Sequence, residues 1–396
     1  MIFRSILSFP LFFIELVVVT VLYLPSVANA TPAFARMEHE TCEECHTAYP
    51  ALNATGRLYK MNGYSFNNMM RGRGFGMNKM ANESQFESMM KQFPIAAAIT
   101  SRPYDKKKSG KKEIRAIHEV ELLAGGNFNK VFTYIDIEAE GEDGFGLTTE
   151  ATSLGYTINP HLHLEAAYAP SFFSDPYDTL SNMRRLSVSN YNVLESSFSG
   201  VDGQLRHPRQ QFSIFGRLAR RLFYDATVGG LTEDKTGQDS TVYLGRLALD
   251  ITPRLMVGTF GVSGRSEISS TNNKSSQARN FDRFGFDTQA DILQVRLTGV
   301  YMRAHDQYAT SKAKESNVDD YVQAVYFSSN RHWVPLLRYQ SSEQNNGTQK
   351  TESVIAGLSY YPMENAKGTI EYSEDTSVPA GQIKDNRFTL QFQVAL

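Results

Sequence analysis

The sequence predicts a mainly β protein: a 16-stranded antiparallel transmembrane β-barrel with a small N-terminal module ahead of it. Three features point there. Apolar and polar residues alternate with period two from about residue 92 onward, connections between these runs alternate between long and short, and an apolar stripe ends on the last residue. Helical periodicity is nearly absent in that region.

The N-terminus is set apart first. Arg4 is followed by an apolar run from about Ile6 to Leu24 and then by Ala28-Asn29-Ala30. This is a secretory signal with a small-x-small cleavage site, so residues 1–30 are read as a signal peptide and Thr31 as the first mature residue. The run is also long enough for an uncleaved inner-membrane anchor, which needs ~20 residues; the Ala-x-Ala site favours cleavage. Past it, no stretch approaches the ~18 consecutive apolar residues of a spanning helix, and the mean hydropathy is -0.35. Any further membrane span is therefore built of strands. The formal charge of -2 gives no signal for nucleic acid, and Lys106-Lys107-Lys108 with Lys111-Lys112 reads as one solvated loop.

Residues 31–91 form the module, with clustered Met and Gly, no clear strand alternation, and a short helix or turn over Asn53 to Tyr64. At about sixty residues it is near the lower limit for an independent core. A covalent cofactor or the barrel wall has to stabilise it.

Residues 92–396 form the barrel, with strands expected at 92–101, 113–124, 128–139, 145–157, 160–169, 210–219, 222–231, 241–250, 254–265, 281–290, 292–303, 319–328, 332–341, 352–362, 366–374 and 387–396. Tyr243, Leu247 and Leu249 share one face opposite Arg246 and Ala248; Leu293, Val295, Leu297 and Tyr301 stand opposite Gln294, Arg296 and Thr298. One face suits outer-membrane lipid and the other a polar lumen. Tight turns are expected near Asn159, Arg220-Arg221, Thr252-Pro253, Asp291, Asn330-Arg331 and Met363-Glu364, and long loops near 170–209, 232–240, 266–280, 304–318, 342–351 and 375–386. That asymmetry is the outer-membrane arrangement, with short turns and both barrel termini facing the periplasm. Phe388, Leu390, Phe392, Val394 and Leu396 close the chain with an apolar stripe like that of a terminal barrel strand. A soluble sandwich or propeller would share the alternation alone; the export signal, even strand count and loop asymmetry favour the barrel.

The only two cysteines lie in Cys42-Glu43-Glu44-Cys45-His46, which excludes a disulfide framework. C-x-x-C-H is the pattern of c-type haem attachment: two thiols add to two vinyl groups of one porphyrin, and the next imidazole is placed beneath the iron. A zinc site would need two further soft or imidazole ligands, and a redox C-x-x-C would open a helix in a βαβ context that this chain lacks. One covalent haem c, held by Cys42 and Cys45 with His46 as proximal iron ligand, is the expectation. For the distal ligand the candidates are Met61, Met69, Met70, Met77, Met80 and His39, with an open site as the alternative. His161, His163 and Glu165 share a polar strand face, read as lumenal. Glu140, Glu142, Asp143, Asp319 and Asp320 read as loop acids able to attract cations.

Pro32-Ala33-Phe34-Ala35-Arg36, then Cys42-x-x-Cys45-His46, then Pro50-x-Leu52-Asn53-x-x-Gly56-Arg57-x-Tyr59-Lys60-x-x-Gly63-Tyr64 resembles the fused cytochrome-porins of iron-oxidising bacteria. The resemblance implies a monohaem cytochrome c module fused to a 16-strand outer-membrane barrel, and an Fe(II) oxidase activity. Electrons from an extracellular Fe(II) donor would pass through the haem to a periplasmic c-type cytochrome. One haem cannot sit at both rims of an apolar band ~25 Å tall, so the module is expected to enter the lumen as a plug. A diffusion porin with a haem-containing plug, and a conduit for a different extracellular donor, are the alternatives.

Overall fold

The computed structural model describes residues 33–38, 40–66, 95–128, 130–181, 183–195, 204–230, 241–268, 277–308 and 314–396. Sixteen strands close into one antiparallel barrel. In chain order they are β3 (Ile95–Lys107), β4 (Lys112–Phe128), β5 (Val131–Glu140), β6 (Leu147–Asn159), β7 (Leu162–Ala169), β8 (Arg209–Leu218), β9 (Leu222–Gly229) and β10 (Val242–Thr252). There follow β11 (Leu255–Ile268), β12 (Gln277–Ile292), β13 (Val295–Tyr308), β14 (Lys314–Tyr326), β15 (Trp333–Gln344), β16 (Gln349–Met363), β17 (Ala366–Ser377) and β18 (Asn386–Ala395). Two short strands of the N-terminal segment, β1 (His46–Ala48) and β2 (Ala51–Leu52), pair only with each other. Closure comes from β18 pairing with β3, which leaves no open edge among the barrel strands.

Each expected strand has its counterpart, but many run further at the long-loop rim. The β11–β12 ladder, for example, continues to Ile268 opposite Gln277. Alternation fades there because both faces meet water, while the backbone groups still need partners and keep the ladder going.

The faces follow the alternation. Tyr243, Leu247 and Leu249 are exposed on the outside, whereas Arg246 and Ala248 are buried in the lumen. Phe388, Phe392, Val394 and Leu396 are exposed in the same way. A continuous outer surface of large apolar side chains around a polar interior is what lipid requires of a spanning barrel.

One loop departs from expectation. The connection after β7 does not stand on the rim but folds into the lumen, and residues 170–181 are buried almost throughout. It carries Phe172, Phe173, Tyr177, Leu180, Tyr191 and Leu194, too apolar a set to leave in water. Its acids meet lumenal arginines. Arg246 donates to Asp287 (2.8 Å) and stands 3.4 Å from Asp175 of the loop, and Arg296 donates to Asp178 (2.8 Å). Arg338 donates to Ser187 (2.8 Å) and packs over the Tyr191 ring at 4.6 Å. Glu371 accepts from the backbone N–H groups of Val188 and Ser189, each at 2.8 Å. Three acids read as loop residues lie in strands instead: Glu140 ends β5, and Asp319 and Asp320 lie within β14, with Asp319 wholly buried.

Candidate functional site

The other occupant of the lumen is the N-terminal segment. It contains α1 (Ala33–Glu38), the single turn α2 (Cys42–Cys45), the β1–β2 hairpin and α3 (Ala54–Met61). One helical turn puts Cys42 and Cys45 on neighbouring positions of one face, and the His46 N–H closes the turn on the Cys42 carbonyl. The segment is tied to the short-turn rim. Glu364, between β16 and β17, accepts from the Cys42 N–H at 2.9 Å, Arg331 pairs with Glu43 at 2.8 Å, and the Tyr361 hydroxyl donates to the Tyr49 carbonyl at 2.7 Å.

The motif residues downstream of the cysteines explain themselves in this packing. Asn53 caps α3 by accepting from the Gly56 N–H (2.9 Å), while its amide donates to the carbonyls of Glu43 and Glu44 (both 3.0 Å). This binds the helix start to the cysteine turn. Gly56 has to be glycine, because a Cβ there would lie 2.1 Å from the Cys45 carbonyl oxygen. Lys60 donates to the Phe173 carbonyl of the inward loop. Gly63 and Tyr64 both take positive φ, turning the chain so that the Tyr64 ring stacks on Phe34 at 4.9 Å and approaches Tyr134 of β5 at 6.2 Å.

A backbone carbonyl orients the His46 ring. Its Nδ1 stands 3.1 Å from the Pro50 carbonyl, which can only accept, so Nδ1 carries the proton and Nε2 keeps its lone pair for a metal. Burial pushes the imidazole pKa down to about 4, so the ring is neutral at physiological pH. Burial, with Glu364 beside Cys42 and Glu44 beside Cys45, pushes both thiols up to about 12. They are protonated at neutral pH, unlike the thiolates of a redox C-x-x-C pair.

Cys42, Cys45 and His46 all face a cavity of about 690 Å³ inside the barrel, within the ~300–1,000 Å³ range of small-molecule and cofactor pockets. Its lower end is aromatic, with Phe34, Tyr49, Tyr59, Tyr64 and Tyr134. Toward the long-loop rim the β4–β5 wall carries Glu119, Glu121, Asp136, Glu138 and Glu140, while Arg102, Arg185 and Lys367 line the same cavity. Two thiols and a free imidazole nitrogen, opening on an aromatic-lined cavity, fit a covalently attached porphyrin.

Met61 does not face this cavity: it is buried with Phe132, Phe215 and Phe223 against the barrel wall. Among the described residues the methionine that lines the cavity is Met183, on the inward loop. His39, Met69, Met70, Met77, Met80 and the signal-peptide residues lie outside the described residues. His163 and Glu165 are lumenal, as expected, but serve packing and hydrogen bonding: His163 Nδ1 lies 3.0 Å from the Thr157 hydroxyl, and Glu165 accepts from Ser174 at 2.9 Å. His161 sits instead in the β6–β7 turn, against the Arg217 carbonyl at 2.9 Å. Met183 and Tyr134 were not among the sequence candidates. The alternation in Tyr134-Ile135-Asp136-Ile137-Glu138-Ala139-Glu140 could have identified the β5 wall; nothing in the sequence marks Met183.

No protein-family model matches the sequence, and comparison with curated proteins finds no match. Solved structures are similar in fold. An anion-selective porin from Comamonas acidovorans superposes with a TM-score of 0.61 at 8% identity, covering 77% of this chain and 99% of that one. The loop L8 deletion mutant of OmpT, an outer membrane protein of Vibrio cholerae, gives 0.57 at 13% identity, with 77% and 99% covered. The outer membrane channel DcaP of Acinetobacter baumannii gives 0.51 at 11% identity, with 80% and 99% covered. These likenesses establish a porin-like barrel.

Proposed function

We propose that this protein is an outer-membrane c-type cytochrome built into a porin-like barrel. It passes electrons from an extracellular Fe(II) donor to a soluble c-type cytochrome in the periplasm. The observation that carries this reading is the pairing of two cavity-facing cysteines with His46, whose Nδ1–H is held by Pro50 so that Nε2 is free to ligate. A haem c bound there supplies reversible one-electron chemistry.

The chain's own residues do the rest. Cys42 and Cys45 tether the group permanently, which matters where a dissociable cofactor would be lost to the outside. Pro50 fixes the imidazole, Asn53 and Gly56 clamp the cysteine turn to α3, and the aromatic floor excludes water. Met183, which lines the cavity where Met61 does not, would be the described methionine available to such a group. Assigning the short-turn rim to the periplasm, as in bacterial barrels of this kind, puts Cys42 and His46 at the acceptor side and the acidic wall toward the donor.

Anaerobic stopped-flow mixing of the purified ferric protein with Fe(II) tests this. Haem reduction in step with Fe(II) consumption is expected; a covalent haem that Fe(II) does not reduce at any accessible pH removes iron as donor and leaves a conduit for another reductant. The porin-like fold supports a second reading, a diffusion pore with a haem-bearing plug, which planar-bilayer conductance separates by its large ion current.

A further inference from the structure

The acidic end of the cavity holds a feature that electron transfer at a haem edge does not need. On β4 the register against β3 slips, with Thr100 opposite Glu119 but Arg102 opposite Arg115, so β4 bulges between Arg115 and Glu119. Consecutive strand residues normally point to opposite faces. The bulge instead re-aims His118 so that it lines the lumenal cavity together with Glu119. Glu119 is in register with Glu140 of β5. The ligating atoms of His118, Glu119 and Glu140 all lie within 4.8 Å of one another.

His118 is only 2% exposed, and its Nδ1 has no hydrogen-bond partner. A buried, unpaired imidazole nitrogen costs free energy unless something occupies it. Guanidiniums also stand near: Arg115 pairs with Glu142 at 2.7 Å and Asp105 at 3.6 Å, Arg102 donates to Gln391 at 2.8 Å, and Arg185 and Arg387 line the same cavity. Glu138 joins Glu119 and Glu140 on the same wall, crowding like charges that a cation would offset.

We propose that His118, Glu119 and Glu140 bind one divalent first-row transition-metal ion at the long-loop end of the cavity. One imidazole and two carboxylates form a borderline-to-hard donor set suited to Fe(II), Mn(II) and Co(II), with no soft ligand to favour Cu(I). From Phe128 to Glu119, β4 covers ~30 Å at ~3.3 Å per residue, so the site stands near the far edge of the apolar band. The β5 side chains Glu138, Asp136 and Tyr134 then lead down the same cavity toward His46. Calling the bound metal the electron donor rests on the function proposed above; the binding site itself does not.

Calorimetric titration of the full-length protein in detergent with Co(II), which binds such sites more tightly than Fe(II) and is not oxidised by haem, tests the site. One equivalent should bind, and Fe(II) should compete under anaerobic conditions. His118→Gln, Glu119→Gln and Glu140→Gln should each weaken binding by about tenfold or more, and Glu343→Gln, at another part of the rim, should leave it unchanged. Heat-modifiable gel migration checks that each barrel is folded. The Cys42→Ala/Cys45→Ala protein, which cannot attach haem, should still bind Co(II), so loss of the haem reading would not remove this one. Absence of a stoichiometric site in the folded wild-type protein, or equal affinity in the three folded variants, overturns the proposal even if the haem is present and reducible.

Discussion

Among the described residues two segments fill the barrel, and they are held in different ways. Residues 33–66 are tied mostly by caps, backbone contacts and a close helix crossing, with Glu364 beside Cys42 and Glu44 beside Cys45. The loop after β7 is tied by guanidinium–carboxylate pairs drawn from the far wall, such as Arg246 with Asp175. The first arrangement positions a small set of atoms tightly. The second fills space and fixes a charge pattern, because a buried ion pair needs its partners but is costly to leave half-made. The difference separates a segment that holds two thiols and an imidazole at one cavity from one that fills the lumen and fixes its charge pattern.

Breaking the first segment at its tether should have the largest effect. Cys42→Ala/Cys45→Ala should abolish haem retention on a denaturing gel while leaving heat-modifiable barrel migration intact. Breaking the second at Arg246→Ala should do the reverse. It leaves Asp175 and Asp287 buried without their cation, at about 3–5 kcal/mol, and should make the 170–208 loop sensitive to protease while haem content holds.

Finer changes sharpen the contrast. Gly56→Ala forces a Cβ against the Cys45 carbonyl, and overpacking of this kind costs about 1–3 kcal/mol. It should lower the thermal midpoint followed at the haem absorption band more than the midpoint followed by barrel circular dichroism. Asn53→Ala removes the α3 cap, at about 1 kcal/mol, with the same split between probes but smaller. Arg331→Ala breaks an exposed pair with Glu43 and should cost under about 1 kcal/mol by either probe.

The same contrast governs how much of the molecule could be read from the chain. Strand positions were legible because lipid outside and water inside impose period two on every spanning segment, as in β10 with Tyr243 out and Arg246 in. The cysteine turn was legible because its chemistry is local, spanning residues 42–46. The inward course of residues 170–181 was not, because Asp175 and Asp178 find their arginines on β10 and β13, far away in sequence. Met61 was named from proximity in the chain, yet α3 turns it to the wall while Met183 comes from the loop. His118 was missed because the β4 bulge overrides the alternation that would place it on the outer face.

The central claim is that electrons, not ions, cross this barrel. Vesicles carrying the protein, with ferric soluble cytochrome c and a chromogenic ferrous chelator enclosed and Fe(II) added outside, test it directly. The account predicts reduction of the enclosed cytochrome with no colour from the chelator. Colour developing first, or colour with an unreduced cytochrome, would show iron passing through an open pore and contradict it.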